Sequence, residues 1–529
     1  MNMICSNNAD QRHVVVIGAG IGGLATALRL ASQGVRVTVL ERHSHAGGKM
    51  RTLPSRAGPV DTGPTVLTMR KVFDDLFASA GERLDEHITL HKQTLIARHF
   101  WPDGSRLDLF DDPARNVESL RAFAGPKAAD QFIHFNIRTQ ALFDGLNEPV
   151  MQAAAPKLSS LVAYTIARPR LARQMAPFST LARLLKSSFD DPRLAQLFGR
   201  YATYVGGSPY QSPALLALIW QSEMAGVWVV EGGMSALATK IAELAATRGA
   251  NFFYDAHVSN IETNGNQVSG VTLENGTRIE ADAVVFNGDP RALATGALGE
   301  ACNIIAPQTE KTARSLSAEV WAFAAKANGP ELAHHNVFFR DDPKPEFDAI
   351  MRGERCKDPT LYVCAMDRGI PKPPPPLERF EIIANAPSIE GLPQQEEFDR
   401  CQTRTFRTLT RHGLSFSPEP DQSALTTPSG FERLFPATRG SLYGQSPHGM
   451  MAAFHRPTAK TIIDGLYLAG GGTHPGAGVP MAALSGRHAA EAILQGQIST
   501  SKSRRTDMHG GMSTGSAMTA SARSASSRS

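Results

Sequence analysis

The sequence predicts an α/β protein, a Rossmann-like dinucleotide-binding fold with an interleaved α+β substrate domain. Three observations predict it. A continuous apolar strand runs into a glycine-rich turn near the start of the chain. A second strand, glycine turn and helix stand near the end. The long stretch between them changes texture, poor in acids at first and β-rich later. The two ends therefore read as halves of one site, separated by inserted structure.

The first half is His13-Val14-Val15-Val16-Ile17-Gly18-Ala19-Gly20-Ile21-Gly22-Gly23. Val14 to Ile17 is apolar at every position, the pattern of a parallel strand covered on both faces. Leu24, Ala27, Leu28 and Ala31 follow at helical spacing. Gly34 ends that helix, and Val35, Val37 and Val39 alternate into a second strand. Gly18, Gly20 and Gly23 match G-x-G-x-x-G between strand and helix. Gly18 permits the tight turn, Gly20 lets backbone approach a pyrophosphate, and Gly23 lets helix and strand pack closely. The helix N-terminus then faces negative charge. Glu41, at the end of the second strand, suits ribose hydroxyls and repels a 2′-phosphate.

The choice between NAD and FAD rests on three later segments. Ala46-Gly47-Gly48-Lys49-Met50-Arg51 and Asp61-Thr62-Gly63-Pro64-Thr65 supply a second stretch of accessible backbone where a flavin's ribityl chain and ring would lie. Gly48, Pro64 and Thr65 are candidate contacts. Lys49 and Arg51 suit phosphate or flavin carbonyl oxygens, with a solvated basic turn as the alternative. Near the end, Gly470-Gly471-Gly472 leads to Gly478-Val479-Pro480-Met481, which opens a helix with Pro480 at its first turn. Gly471 and Gly472 are further candidate contacts, and the free N–H groups at the start of the helix Gly478-Val479-Pro480-Met481 would stabilise charge at the N1–C2=O edge of a reduced flavin. These motifs point to FAD.

Length, composition and charge narrow the classes. The chain has 529 residues, 42% of them hydrophobic, enough for a substantial core. A net charge of +4 gives no argument for nucleic acid. Five cysteines without a CxxC pair suggest reduced thiols in the cytoplasm. The polar start has no apolar h-region, so no secretory signal is expected. No metal-ligand pattern is read. Val268 to Val285 predicts a hairpin around Asn275-Gly276. Pro371 and Pro373 to Pro376 predict an extended loop. The expected organisation is a flexible start (1–11), cofactor-binding parts at 12–100, 251–299 and 440–497, a substrate and membrane-associating region at 101–250, a substrate domain at 300–439, and a disordered tail at 498–529.

From Val14 to about Leu494 the chain resembles the bacterial carotenoid desaturases of the phytoene-desaturase type, within the amine-oxidase-like flavoproteins. The motifs that carry this are residues 15–24, Gly-Gly-Lys-Met-Arg at 47–51, Asp-Thr-Gly-Pro-Thr at 61–65 and His-Pro-Gly-Ala-Gly-Val-Pro-Met at 474–481. Gly199-Arg200-Tyr201-Ala202-Thr203-Tyr204-Val205-Gly206-Gly207-Ser208-Pro209 and Ile219-Trp220-Gln221-Ser222-Glu223-Met224-Ala225-Gly226-Val227-Trp228 are similar to one branch, the hydroxyneurosporene and methoxyneurosporene dehydrogenases, or 1-hydroxycarotenoid 3,4-desaturases. The resemblance implies FAD, adenine contact at the backbone of Val258, and a strand returning to the cofactor at Asn287. Gly-Ala-Gly at 476–478 replaces three glycines seen in many members, and Arg340-Asp341-Asp342-Pro343 is atypical after His334-His335-Asn336-Val337-Phe338-Phe339.

The implied reaction removes two hydrogens from adjacent carbons of an acyclic C40 carotenoid, as hydride to flavin N5 and a proton from the neighbouring carbon. Position is the main catalytic demand. No general base is identified; His455 and His474 are candidates by residue type alone. Dioxygen and a membrane quinone both suit as electron acceptor. The 1-hydroxylated end is expected to meet one or two polar groups at the far end of a tunnel. Tyr201, Tyr204, Trp220 and Trp228 are candidates for its lining, with plain core as the alternative. An insoluble polyene is collected from a bilayer, so peripheral association with the cytoplasmic face of the inner membrane is expected. Residues 149–189 contain no Asp or Glu, and Leu171, Met175, Phe178, Leu181 and Leu185 could form one apolar face flanked by Arg173, Arg183 and Lys186, interrupted at Pro177. The alternatives are a multi-step phytoene desaturase, a redox-neutral carotenoid isomerase, an amine oxidase and a carotenoid-binding protein without activity.

Overall fold

The computed structural model describes residues 12–389 and 397–506. Its first sheet is five-stranded: β1 (His13–Ile17), β2 (Arg36–Leu40), β3 (Asn251–Phe253), β4 (Ala283–Phe286) and β5 (Leu466–Leu468), in the spatial order β5-β4-β1-β2-β3 and all parallel. β1 is buried at every position. Its residues alternate between two cores. Val14 and Val16 belong to one cluster with the helix Ile21–Ala31, while Val15 and Ile17 belong to another with Val258, Ile261 and Phe286. This double cover is why the run is apolar without alternation.

The helix Ile21–Ala31 lies between the helices Met234–Thr247 and Val479–Thr506. Leu24 and Leu28 are fully buried there, each contributing roughly 1.5–3 kcal/mol. The crossing with the last helix is close. A Cβ at Gly486 would come within 2.3 Å of the Gly22 carbonyl.

The second sheet is eight-stranded and largely antiparallel, built mainly from residues 317–426, with Leu95–Phe100 and Arg106–Phe110 added at one edge. Helices between 113 and 224 cover one end of it, around Phe132, Phe198, Tyr201 and Trp220. A small antiparallel sheet, Val258–Asn264, Gln267–Leu273 and Arg278–Glu280, carries the turn at Asn275-Gly276, where Asn275 Oδ1 accepts from Thr277 N (3.0 Å). Among the described residues, no helix is long and apolar enough to cross a membrane.

Several boundaries differ from the sequence expectation. Leu95–Phe100 pairs parallel with His335–Phe338, so the second sheet begins before residue 100. Met234–Thr247 belongs with the first sheet, because its apolar stripe (Leu237, Ala238, Ile241, Leu244) packs into that core. The last helix runs to Thr506, past the expected end at 497, since no Gly or Pro interrupts 497–506. The expected flexible start and the tail from 507 lie outside the described residues. The acid-free stretch is three short helices, Leu158–Ile166, Pro169–Gln174 and Leu181–Ser188, and not one amphipathic face. Pro177 breaks it, with Ala176 and Phe178 at φ 45° and 69°. Leu171, Leu181 and Leu185 point inward, while Phe178 is 86% exposed.

Candidate active site

A cavity of about 1020 Å³ opens at the carboxyl ends of β1, β2 and β4, where Ile17, Leu40 and Phe286 line it. Ligands of open parallel sheets bind at these ends. The β1 turn is held from both sides. Ala19 N donates to Glu41 Oε2 (2.7 Å), His43 N donates to Glu41 Oε1 (2.9 Å), and Asn287 Nδ2 donates to the Gly18 carbonyl (3.0 Å). Glu41 lines the cavity with lone pairs left for a ribose, and it also builds the turn.

The second glycine loop meets the first. Gly47 N donates to the Ala19 carbonyl (2.9 Å), and Gly48 has φ +58°, with a Cβ there falling 3.0 Å from Gly20 Cα. A side chain at Gly22 would fall 2.6 Å from both Asn287 Oδ1 and Gly470 N. Gly22 is thus the point where the two ends of the chain touch. The spacing rule, which marks Gly18, Gly20 and Gly23, passes over it.

Of the residues singled out from the sequence, Gly18, Gly20, Glu41, Gly48, Lys49, Pro64, Thr65, Val258, Asn287, Gly471, Gly472, Gly478, Val479, Pro480 and Met481 line this cavity. Gly23 does not. A Cβ there would lie 2.1 Å from the Gly18 carbonyl, so its part is helix–strand packing. Arg51 does not line it either. Its Nη2 donates to Thr426 Oγ1 (2.7 Å), and its guanidinium lies over Phe431. The turn closed by Met50 N to the Gly47 carbonyl (3.0 Å) separates the two cations. Lys49 stays on the cavity wall, where Nζ donates to the Leu442 carbonyl (2.5 Å) and burial pushes its pKa down to about 8.

Other residues shape the site in ways no motif announces. Arg456 holds the late glycine turn: Nη1 donates to the Gly471 carbonyl (2.8 Å) and Nη2 to the Tyr443 carbonyl (3.0 Å). Burial lowers its pKa to about 10. Asp289, paired with Arg314, faces the same end. Asp61 caps the helix Met234–Thr247, accepting from Met234 N (2.5 Å).

The two histidines considered as bases lie off the cavity. His474 is buried with Nε2 donating to the Ala153 carbonyl (2.9 Å), and His455 is exposed. Of the four candidate tunnel aromatics, only Tyr204 lines the cavity. Tyr201 and Trp220 are core residues, and Trp228 packs on the first core, because irregularly spaced large rings fill gaps between helices.

The same cavity is lined by the apolar residues Phe143, Leu146, Val150, Leu161 and Leu215, and by Leu158, Val162, Met450 and Met451 at the surface. These four are exposed.

The dinucleotide end fits FAD. Its backbone cradle leaves no room for side chains at Gly22 and strains any at Gly48, an acid stands at the ribose position, a lysine lies further along, and a helix starts at Val479. Residues 21–494 match the model of the family described as flavin containing amine oxidoreductase. The chain is 53% identical over 490 residues to the hydroxyneurosporene desaturase of Cereibacter sphaeroides, covering 92% of this chain and 99% of that one. It is 31% identical over 499 residues to the 1-hydroxycarotenoid 3,4-desaturase of a Flavobacterium species, covering 91% of this chain and 99% of that one. Putrescine oxidase bound to putrescine shares the fold, with a TM-score of 0.58 at 15% identity over 92% of this chain and 99% of that one. The backbone cradle and the match over most of the length lead to one conclusion: the chain belongs to the flavin containing amine oxidoreductase family, and its cofactor is FAD.

Proposed function

We propose that the chain is a carotenoid desaturase that introduces the C3–C4 double bond into acyclic 1-hydroxy and 1-methoxy carotenoids. The observation that carries this is the continuous cavity that joins a dinucleotide cradle to an apolar channel opening at an exposed apolar rim. An elongated hydrocarbon suits such a channel. The names of the relatives support the substrate class.

Bound FAD supplies a hydride acceptor at N5. The residues supply position and electrostatics. Gly478 to Met481 present a helix N-terminus to the cavity, where its N–H groups and dipole favour negative charge. Arg456 fixes the Gly470-Gly471-Gly472 turn beside it. Leu146, Val150 and Leu161 offer the polyene an apolar wall against which it is positioned.

The rim supports docking to a bilayer. Ile166 is 73% exposed and Phe178 86% exposed, close to Val162, Met450 and Met451 around the cavity mouth. Phe178 N donates to Met450 Sδ (3.0 Å), which ties the two sides of the rim together. Exposed Lys157, Arg168, Arg170 and Arg173 flank it and suit anionic head groups at about 1 kcal/mol each.

The test is expression in a host that accumulates 1-hydroxyneurosporene, with pigments separated and weighed. The expected product is lighter by two hydrogens and absorbs at longer wavelength. Unchanged pigment there with desaturated phytoene in a parallel host would move the reading to a phytoene desaturase. Unchanged mass with altered double-bond geometry would make it an isomerase.

A further inference from the structure

In a 1-hydroxylated acyclic carotenoid the oxygen is three bonds from C3 and four from C4. With single bonds near 1.5 Å, it lies within about 5 Å of the reacting carbons. The group that recognises it must therefore stand beside the flavin-facing loop. The far end of the tunnel, the position expected from the sequence, is too distant.

One polar network in this wall has that position. Tyr201 Oη donates to Glu223 Oε2 (2.5 Å), Tyr204 Oη donates to Glu223 Oε1 (2.6 Å), and Arg200 Nη1 donates to Tyr204 Oη (3.0 Å). Glu223 is 2% exposed and does not line the cavity, whereas Arg200 and Tyr204 do. Tyr204, Tyr362 and Val66 pack against the same core cluster, and Tyr362 Oη is 2.7 Å from Thr65 Oγ1 in the loop that begins Gly63-Pro64. The network and the flavin-facing loop thus share one stretch of wall.

Arg200 has a donor to spare. Among the described residues Nη2 has no hydrogen-bond partner; Nε has none either, but it is fully buried and out of reach of a ligand in the cavity. Burial works against its charge, yet Tyr204, Tyr201 and Glu223 hold the guanidinium above the ordinary arginine range. A guanidinium only donates. A hydroxyl oxygen and an ether oxygen both accept, so one donor reads a 1-hydroxy and a 1-methoxy end alike. A hydrocarbon end would leave a desolvated cation facing carbon, and sites of this kind reject the analogue that lacks the polar atom.

We infer that Arg200, held in place by Tyr204 and Glu223, binds the oxygen on C1 of the substrate and sets the preference for oxygenated end groups. The inference rests on the desaturase reading.

The test uses the FAD-loaded full chain and two substrates, the 1-hydroxy carotenoid and the 1-deoxy hydrocarbon of the same skeleton. The readout is the ratio of their kcat/KM values. Wild type is expected to favour the hydroxylated substrate by at least about 100-fold. Arg200→Leu should lower that ratio by at least about tenfold, the effect of a lost charged hydrogen bond. Arg200→Lys should retain part of the preference, and Tyr204→Phe, which leaves the cation in place but loosens it, should lie between. If Arg200→Leu lowers both substrates equally at full flavin content, Arg200 is structural and the inference is wrong. Should Arg200→Leu fail to fold, an unchanged ratio in both Arg200→Lys and Tyr204→Phe overturns it. Wild type inactive on both substrates would sink the desaturase reading itself, and this inference with it.

Discussion

At the dinucleotide end of the cavity the wall is largely backbone; at the substrate end it is side chain. The first end depends on atoms that are missing: a Cβ at Gly22 or Gly23 would strike a neighbour, and one at Gly48 would crowd Gly20. The second end depends on apolar bulk contributed by Phe143, Leu161, Leu215 and Met450, from segments far apart in sequence. The difference teaches where each end tolerates change. A cradle made of backbone fails abruptly when one atom is added, because neither strand nor helix can move aside. A channel of flexible side chains changes in degree.

The sharpest way to break the comparison is Gly48→Val. A non-glycine residue at positive φ costs on the order of 1–3 kcal/mol, and the branched side chain also crowds the cradle. Flavin content after purification should fall to near zero while near-ultraviolet circular dichroism stays native. Full flavin content would show that the cradle yields.

At the other end, Ile166→Asp with Phe178→Asp should leave flavin content unchanged and weaken co-sedimentation with anionic lipid vesicles by about 100-fold or more, given roughly 1.5–3 kcal/mol per large apolar side chain buried. Equal sedimentation of variant and wild type would remove the rim from the membrane reading.

A smaller effect is expected at Glu41→Gln. An amide can accept from Ala19 N or from His43 N, but its NH₂ cannot serve the second donor. FAD affinity by fluorescence titration should drop about tenfold, the usual cost of one unsatisfied buried donor.

The smallest is a pH effect at Lys49. Burial places its pKa at about 8, against 10.5 for the unfolded chain. Between those values the unfolded state binds more protons, so this group's contribution to stability rises with pH. Below pH 8 its burial cost is felt in full. The Tm of apo Lys49→Met should therefore exceed that of apo wild type by a few degrees, on the order of 1–3 °C, below pH 8. The gap should narrow as pH rises toward 10.5. A constant gap would mean that Lys49 is already neutral or well solvated.

Much of the dinucleotide end was legible because its determinants are contiguous. Gly18, Gly20 and Gly48 act through the backbone at their own positions, and Glu41 through a carboxylate at the end of its strand, so a short motif contains the geometry. Arg51 lies off the cavity although it stands two residues from Lys49, and only the Met50-to-Gly47 turn, a tertiary detail, separates them. Arg456 left no signal, because its partners are the carbonyls of Gly471 and Tyr443, and any residue type supplies a carbonyl. The channel was legible only as composition. The acid-free stretch marked the region, but Pro177 and the positive-φ residues beside it decided which side chains turn inward, and periodicity alone cannot place such a break. The Arg200–Tyr204–Glu223 network was present in the motifs that pointed to the branch, yet its cavity-facing members could be separated from its buried ones only in three dimensions.

The contact between Gly22 and Gly470 has a consequence for how the protein is made. β1 is synthesised long before β5, and β4 must lie between them before the sheet is complete. At about 5–20 residues per second, the early glycine turn waits on the order of half a minute or longer for its counterpart. Throughout that interval the apolar faces of Val14 to Ile17 have only part of their cover. The flavin cradle is complete only once β5 and the helix after it have been made, because Gly470 and Gly478 belong to it.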